Sequence, residues 1–382
     1  MKIAIVAGEV SGDILGARLI QALKAYYPDA QFEGIAGPEM QAQGCDSLFE
    51  MDRLSVMGFT EVIGRLRELM SIRKSLLQRW TQDPPDVFIG VDAPDFNIWL
   101  EQRLHAQATP SVHYVSPSIW AWRQSRVKKF VGNLDLMLAL FPFEMDFYKQ
   151  HQVPVAFVGH PLADEIPLEN DKHQARQALD LASEPFTLAV LPGSRSGEIQ
   201  RIGPDFLLGL KTIHQNHPEW QLVCPLVNDK IAVQFKALHQ ELAPEVPMTW
   251  VSGQSRTVMK AADQILMASG TAVLEGMLVG RPMVAAYRVA ALTGWIIQRL
   301  GMIKSPFYTL PNNLANQRLV PELIQQELTV EAVITEVEIQ FSQTSEQKAQ
   351  VLRRFSEIHK ILKQGASQQA AAAIHELLSK RS

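Results

Sequence analysis

The sequence predicts an α/β protein with two domains, each containing a parallel β-sheet covered by helices on both faces. The chain has 382 residues, enough for two domains of roughly 150 residues each. Short apolar runs rich in β-branched residues alternate with longer helical patterns, which is typical of parallel sheets. The alternation occurs in two series, separated by the polar, proline-containing residues 159–185.

Each run is assigned by its length and pattern. In the first series, the predicted strands cover residues 2–7, 32–36, 87–91, 111–115, 136–140 and 156–158, and the first helix covers 13–27. In the second, the predicted strands cover 187–191, 221–225, 248–251, 264–268 and 283–287, and the helices cover 203–217, 231–242 and 271–279. The last, polar-faced segment (331–380) is predicted to be helical.

Composition excludes several classes of protein. The net charge of −4 argues against a dedicated nucleic-acid-binding protein. Two cysteines are too few for a disulfide framework or a cysteine-based zinc cluster, and they fit a reducing compartment. The first apolar run is too short for a signal peptide, and the longest uncharged stretch (104–122) contains two prolines. We therefore expect a cytoplasmic protein without a transmembrane helix.

An acidic, glycine-rich turn follows the first predicted strand. The motif AGEVSGDILG spaces its glycines four residues apart, unlike the dinucleotide-binding fingerprint. Because ligands bind beyond the carboxyl ends of strands in open α/β sheets, Glu9, Ser11 and Asp13 are predicted to contact hydroxyl groups of a ligand. In the alternative, Ser11 or Asp13 only caps the following helix.

A second acidic turn has the sequence VDAPDFN. Asp92 directly follows the predicted strand 87–91, a position where a carboxylate is held rigidly at the rim of a sheet. There it is predicted to act as a general base toward an attacking hydroxyl group. In the alternative, Asp92 and Asp95 both cap a helix.

A basic stretch follows the strand that contains His113. Its basic residues, without an intervening acid, are Arg123, Arg126, Lys128 and Lys129. Such a cluster is predicted to contact a phosphate group or anionic lipid headgroups; the alternative is a solvated helix face. His113 itself, a single histidine in a strand, is expected to be a hydrogen-bonded core residue.

Two turns in the second half of the chain are of the type that binds anions. The sequence LPGSR follows a strand and combines backbone N–H groups with a guanidinium. The sequence ASGTAVLE also follows a strand, and its helix N-terminus is directed at an anion. The predicted nucleotide-diphosphate contacts are Gly193, Ser194, Arg195, Ser269, Gly270 and Thr271, with Glu275 on the ribose. In the alternative, both are ordinary capped turns.

Residues 58–80 form a basic amphipathic pattern. Five basic residues occur there against two acidic ones. A basic amphipathic helix is typical of membrane surfaces or partner interfaces, and the alternative is an ordinary core helix. The apolar residues predicted to contact lipid are Val62, Ile63, Leu66, Leu69 and Met70.

Together these motifs resemble one family, the lipid-A-disaccharide synthases, over most of the chain. The strings that show the resemblance are AGEVSGD, LSVMGFTEV, IGVDAPDFN, HYVSPSIWAW, LPGSR, ASGTAVLE and YTLPNNLANQRLVPE. The resemblance implies an inverting glycosyltransferase of the GT-B fold, in which two Rossmann-like domains face a cleft. Asp92, Arg195, Glu275 and Asn312 match positions that the resemblance implies to be functional, with Asn312 among the residues that bind UDP. Tyr308-Thr309-Leu310 stands where a serine is expected before Pro-Asn.

The family's reaction joins UDP-2,3-diacylglucosamine to 2,3-diacylglucosamine 1-phosphate and gives a β-1,6 disaccharide and UDP. The resemblance implies no metal and no cofactor, lipid-linked sugars and UDP as partners, and peripheral attachment to the cytoplasmic face of the inner membrane. A second copy of the chain, in a homodimer, is a further partner that the sequence allows. The predicted domains are residues 1–165 for the acceptor and membrane, 166–345 for the UDP-sugar, and a helical tail, 346–382, returning to the first.

The predicted mechanism is a single displacement with Asp92 as the base and Glu9 as the alternative base. The rival enzyme is one similar to UDP-N-acetylglucosamine 2-epimerase, which would need no lipid surface. The rival without catalysis is a nucleotide-binding regulatory module, which would not require an acidic residue such as Asp92 at the rim of the first sheet.

Overall fold

A computed structural model describes residues 1–54, 59–122, 124–290 and 305–381, without the side chains of 59–64. The chain divides into two compact units. Unit 1 comprises Met1–Asp164 and Leu362–Ser382, and unit 2 comprises Glu165–Ile361. Each unit contains one sheet whose strands pair in parallel, so the predicted α/β class is confirmed.

Unit 1 is built on a seven-stranded sheet with the order β3-β2-β1-β4-β5-β6-β7. Its strands are β1 (Lys2–Ala7), β2 (Gln31–Ala36), β3 (Cys45–Glu50), β4 (Val87–Val91), β5 (Ser111–Tyr114), β6 (Leu136–Ala139) and β7 (Val155–Phe157). Its helices are α1 (Val10–Leu23), α2 (Pro38–Ala42), α3 (Phe59–Gln82), α4 (Pro94–His105), α5 (Pro142–Gln150) and α6 (Pro161–Glu165), which ends at the junction. The central strands are buried on both faces, as their continuous apolar runs predict.

Unit 2 contains a six-stranded sheet with the order β10-β9-β8-β11-β12-β13. Its strands are β8 (Thr187–Leu191), β9 (Gln221–Leu226), β10 (Thr249–Ser252), β11 (Gln264–Ala268), β12 (Met283–Tyr287) and β13 (Glu322–Ile324). Its helices are α7 (Lys172–Gln177), α8 (Ser196–Asn216), α9 (Asp229–Leu242), α10 (Ser255–Ala261), α11 (Thr271–Val279), α12 (Leu310–Ala315), α13 (Val330–Ser342) and α14 (Ser345–Leu362).

The strand order reverses once in each sheet, and these points place the site. In unit 1 the reversal lies between β1 and β4, and in unit 2 between β8 and β11. Crevices for ligands form outside the carboxyl ends of the strands at such switch points. The four predicted motifs AGEVSGD, VDAPDFN, LPGSR and ASGTAVLE occupy these four strand ends.

Two predicted helices have wrong boundaries, and the start of one of them has an identifiable cause. Helix α8 begins at Ser196 rather than at residue 203, because Glu198 accepts hydrogen bonds from the N–H groups of Ser194 and Arg195 and starts the helix there. Pro204 lies inside the helix. Helix α1 spans residues 10–23 rather than 13–27. The strands β3 and β13, at sheet edges, were not predicted.

The chain after α14 packs on unit 1. Helix α15 (Ala366–Ser379) follows Gly365, which has a φ of 70°. The Asp164 carboxylate accepts hydrogen bonds from the N–H groups of Gly365 and Ala366, at 2.8 and 2.6 Å. The Tyr27 hydroxyl lies 2.8 Å from Nδ1 of His375. The predicted tail begins at residue 346, whereas unit 2 extends to Ile361.

Within the described ranges, no helix combines the length and the apolar character that crossing a membrane requires.

Candidate functional site

The site of unit 1 begins with two loops that touch at the strand reversal. Ala7, the last residue of β1, pairs with Val91, the last residue of β4. A Cβ on Gly8 would lie only 2.6 Å from the Cβ of Ala93, so this close approach requires glycine. The loops bring Glu9 and Asp92 together, so that the Glu9 carboxyl group lies close enough to raise the pKa of Asp92.

The backbone at Asp92 is held in an uncommon conformation. Asp92 and Ala93 have φ values of 50° and 43°, in the left-handed region. Such conformations cost about 1–3 kcal/mol each for most residues other than glycine and occur often at active sites. The Asn97 amide donates to the carbonyl oxygen of Asp92 at 2.8 Å, and the Asp92 N–H donates to the carbonyl oxygen of Tyr114 at 2.8 Å. The N-cap of α4 is Ala93, so Asp92 is not the cap that the alternative required.

Burial raises the pKa of Asp92, and the neighbouring Glu9 carboxylate raises it further. Charge on His113 and a hydrogen bond from the Ala93 backbone act in the opposite direction. When two carboxyl groups share a site, a proton is retained more easily on one of them. A carboxylate with a raised pKa is a stronger base once it has lost its proton, which suits proton abstraction from a hydroxyl group.

The other two residues of the acidic turn have different surroundings. The Ser11 hydroxyl donates to Glu9 Oε1 at 2.6 Å, so Ser11 orients this carboxylate. Asp13 is buried and accepts hydrogen bonds from the N–H groups of Gly37, Glu39 and Met40, at 2.9–3.0 Å. Asp13 therefore caps α2, not α1, and its carboxylate oxygens are engaged in the fold.

The basic stretch and the amphipathic helix are described only in part. Arg123 lies outside the described residues, as do the side chains of Val62 and Ile63. Arg126 forms an ion pair with the exposed Asp95. On α3, the predicted lipid-contact residues are Leu66, 47% exposed, Met70, 43% exposed, and Leu69, which packs against the core. Leu66 and Met70 therefore form an exposed apolar surface on a basic helix.

In unit 2, both predicted anion-type turns line one cavity of about 330 Å³. Its walls include Gly193, Ser194 and Arg195 after β8, and Ser269, Gly270 and Thr271 after β11. A Cβ on Gly270 would meet nothing within 4 Å, so open space lies directly beside this turn. The cavity has the size of a small-ligand site.

One detail of the first turn corrects the sequence prediction. The backbone N–H groups of Ser194 and Arg195 are not free, since both donate to Glu198 Oε2, at 2.9 and 3.2 Å. The Arg195 guanidinium also pairs with Glu198 Oε1, at 3.2 Å, although its side chain is 80% exposed. The sequence prediction thus took N–H groups at the start of α8, which donate to Glu198, for unpaired donors to a ligand. The Arg195 guanidinium is accessible at the cavity.

The second turn combines a paired N–H group with an open helix N-terminus: the N–H of Ser269 donates to the carbonyl oxygen of Ala286 at 2.7 Å. Gly270 is the N-cap of α11 and has no side chain to cap the helix, so the N-terminus of α11 opens onto the cavity. The positive end of a helix dipole at this position favours an anion. Thr271 adds an exposed hydroxyl group.

Glu275 and Asn312 lie near this region but do not line the cavity. The Glu275 carboxylate accepts a hydrogen bond from Arg256 at 3.2 Å, and Arg256 also pairs with Glu165. Asn312 is fully buried: its amide donates to Val320 and Glu322, and its oxygen accepts from the N–H groups of Leu319 and Val320. Sequence reasoning missed Arg256, which stands in no recognisable motif, and Glu322, which ends the string YTLPNNLANQRLVPE but was not singled out.

A larger hollow of about 480 Å³ lies at the amino ends of strands in the same unit, next to Asp263, Gln264 and Arg281. None of the predicted site residues lines it. Because ligands of α/β sheets bind at the carboxyl ends, the smaller cavity is the candidate ligand site of this unit. Among the described residues, no group of three or more His, Cys, Asp or Glu is arranged to hold a metal ion.

Comparison of the sequence with known families gives one full-length match. The family model for lipid-A-disaccharide synthetase matches residues 3–376. The lipid-A-disaccharide synthase of Alcanivorax borkumensis is 51% identical over 377 residues, covering 98% of this chain and 97% of that protein.

Solved structures with a similar fold are distant in sequence. A UDP-GlcNAc 2-epimerase from Neisseria meningitidis bound to UDP-GlcNAc has a TM-score of 0.61 at 15% identity, with complete coverage of both chains. A glycosyltransferase from Rickettsia africae has a TM-score of 0.60 at 12% identity, covering 100% of this chain and 99% of that one. At such low identity, these matches establish the shared GT-B fold alone.

Proposed function

The chain belongs to the lipid-A-disaccharide synthetase family, and from this membership we propose how its residues divide the family's reaction. The protein is a glycosyltransferase of lipid A biosynthesis. The similarity to an epimerase reflects the fold, so the epimerase alternative and the regulatory module are not retained. The finer assignments of substrate, residue and location below are proposals.

The proposed reaction transfers diacylglucosamine from UDP to the 6-hydroxyl of diacylglucosamine 1-phosphate. Asp92 takes the proton from this hydroxyl while the hydroxyl oxygen of the acceptor forms a bond to the anomeric carbon of the donor. The bond from that carbon to the UDP oxygen breaks, and the electron pair leaves with UDP. The observation that supports this assignment best is the position of Asp92 in a strained turn at the strand reversal, directly after the paired strand ends at Ala7 and Val91.

We propose that the cavity of unit 2 binds UDP. Negative charge accumulates on the diphosphate as the bond to the sugar breaks. Arg195 and the N-terminus of α11 line this cavity and are proposed to stabilise such charge. Glu275, which is paired with Arg256, is proposed to accept hydrogen bonds from the ribose hydroxyls. Asn312 is proposed to hold the chain at Leu319 and Val320 in place, since its side-chain oxygen accepts hydrogen bonds from their N–H groups. We propose that the reaction uses no metal ion and no cofactor.

Replacing Arg195 by Ala should weaken UDP binding by roughly tenfold, since a hydrogen bond to a charged group contributes about 1.5–3 kcal/mol and Glu198 already competes for the guanidinium. Calorimetric titration with UDP measures this effect. The variant R195K preserves the positive charge without the planar guanidinium. Its UDP affinity should lie between those of the wild type and R195A. An unchanged UDP affinity in R195A would remove Arg195 from the phosphate site.

We propose that the protein attaches peripherally to the cytoplasmic face of the inner membrane through α3. The substrates are lipids, and lifting one acyl chain of about twelve carbons into water would cost roughly 10 kcal/mol at about 0.8 kcal/mol per CH₂. An enzyme that meets them at the bilayer surface avoids this cost. The exposed Leu66 and Met70 on a basic helix support this location.

The double variant Leu66→Glu, Met70→Glu should bind phosphatidylglycerol vesicles roughly tenfold more weakly or worse, because each buried apolar side chain contributes about 1.5–3 kcal/mol and the new carboxylates are repelled by the anionic surface. Vesicle sedimentation measures the bound fraction. The matched control is Val233→Glu, at a side chain of unit 2 that is 72% exposed, and it should bind like the wild type. Equal losses in both variants would argue against α3 as the contact.

A further inference from the structure

One face of α11 continues from the cavity proposed for UDP to Glu275. Thr271 and Ala272, in the first turn of α11, line that cavity. Of the residues that follow on this helix, 273–279, all except Glu275 are buried. Residues three and four apart lie on the same face of a helix, so Glu275 continues the surface formed by Thr271 and Ala272. Its carboxylate therefore lies at the rim of the cavity, one turn from the N-terminus of α11.

A single guanidinium group contacts Glu275 and a second carboxylate. Nε of Arg256 donates to Glu275 Oε2, and Nη1 of Arg256 donates to Glu165 Oε2, both at 3.2 Å. Arg256 is the second residue of α10, and the residue before it, Ser255, lines the cavity. Glu165 is the last residue of α6. Three elements that are distant in the sequence thus meet at this guanidinium.

The two contacts restrict the position of the Glu275 carboxylate. A guanidinium is planar, and its N–H groups have fixed directions relative to one another, so binding to two carboxylates limits its rotation. A glutamate side chain loses rotamer freedom when it binds a ligand, and holding it in place beforehand lowers this cost. The side chains of Arg256, Glu275 and Glu165 are 36%, 20% and 30% exposed. Ion pairs of such accessible groups add little to stability, so their place beside the cavity indicates a role in binding.

The ribose of a nucleoside diphosphate has the chemistry that this carboxylate recognises. Ribose presents two neighbouring hydroxyl groups, and a carboxylate has two oxygens that accept hydrogen bonds. Each oxygen accepts more than one hydrogen bond, so the contact with Arg256 leaves both oxygens of Glu275 able to bind a hydroxyl group. Accepting from both hydroxyls at once requires a carboxylate of fixed orientation. An arginine that fixes this orientation therefore affects only ligands that carry the two hydroxyls.

We propose that Arg256 is a positioning residue that holds the Glu275 carboxylate for the two ribose hydroxyls, and that it thereby sets the preference of the cavity for a ribonucleotide. The inference rests on the proposed function, in which Glu275 contacts the ribose of UDP. Arg256 does not contact UDP in this arrangement and acts through Glu275. Glu165 orients the guanidinium through Nη1.

The test compares the binding of UDP and of 2′,3′-dideoxyuridine diphosphate to the full chain by calorimetric titration. The wild type should bind UDP at least about tenfold more tightly, since the dideoxynucleotide lacks hydrogen bonds to a charged group. Glu275→Gln should reduce this preference to about threefold or less, because an amide has only one accepting oxygen. Arg256→Ala should reduce it similarly, by weakening UDP binding alone. Arg256→Lys keeps a charge that can pair with Glu275 and should restore part of the preference.

The matched control is Arg354→Ala. Arg354 forms another ion pair of unit 2, with Glu357 at 2.8 Å, and its side chain is 40% exposed. This variant should keep the wild-type preference. Equal losses of affinity for both nucleotides in R256A would mean that Arg256 supports only the local fold, and would overturn the inference. If R256A fails to fold, Arg256→Gln is measured in its place, and a wild-type preference in R256Q would overturn the inference as well.

The outcomes separate this inference from the proposed function. A wild-type preference in E275Q, or no preference in the wild type, would reject Glu275 as the ribose contact and the role of Arg256 with it. A reduced preference in E275Q together with a wild-type preference in R256A would overturn the role of Arg256 alone. A preference that is reduced in both variants, with unchanged affinity for the dideoxynucleotide, is the result that supports both.

Discussion

Replacing Asp92 by Asn should lower kcat by about 10²–10⁴-fold, the usual contribution of a general base, and should leave UDP affinity nearly unchanged. Asn has the size of Asp and preserves the main-chain hydrogen bonds to Asn97 and Tyr114, which involve only the Asp92 backbone. The cavity proposed for UDP is lined only by residues of unit 2. The loss should therefore appear in the chemical step, measured as UDP release from the two lipid substrates.

The pH profile of the same variant gives a second readout. Since burial and Glu9 raise the pKa of Asp92, the acidic limb of the wild-type profile should lie above the pH at which an ordinary aspartate ionises. In D92N this limb should disappear from the residual activity. The control is Glu9→Gln, which removes one carboxylate neighbour and should move the limb to lower pH. If E9Q is inactive and D92N is active, the roles of the two carboxylates are reversed.

The sequence predicted the centre of each sheet better than its edges. β1, β4, β8 and β11 are continuous apolar runs, and their fully buried positions in the structure explain why the pattern is so clear. The edge strands β3 and β13 were missed, since one is partly polar and the other has only three residues. Their pairing depends on the neighbouring strand, which a local pattern does not contain.

The candidate site was predicted residue by residue but not as a set of contacts. Glu9 and Asp92 were each singled out as a base, but only the pairing of Ala7 with Val91 places their carboxyl groups together. Asp13 was assigned to a ligand, while its partners are the N–H groups of α2, supplied by a distant part of the chain. The sequence did not indicate the role of Glu198, because a helix start that is capped by a carboxylate and a turn that binds an anion have similar sequences. These distinctions depend on tertiary hydrogen bonds.

Replacing Gly270 by Glu should abolish most UDP binding while leaving the fold intact. The backbone of Gly270 is extended, with a φ of 177°, so other residues adopt it without strain, and its Cβ would meet no atom within 4 Å. The new carboxylate would enter the space in front of α11. Two like charges about 4 Å apart repel by roughly 4 kcal/mol at an effective dielectric constant of about 20. Since about 1.4 kcal/mol is a factor of ten, we expect a loss of roughly a hundredfold or more.

The matched variant Gly270→Gln separates charge from volume, because Gln has the size of Glu without its charge. Gly270→Ala should bind UDP almost like the wild type, Gly270→Gln should lose part of the affinity, and Gly270→Glu should lose much more, with thermal unfolding unchanged in all three. Equal losses for Gln and Glu would mean that the turn excludes bulk but does not face phosphate. Normal binding in both would place UDP elsewhere. A graded loss that diminishes at high salt is the result expected if the N-terminus of α11 faces the diphosphate, since salt screens exposed charges.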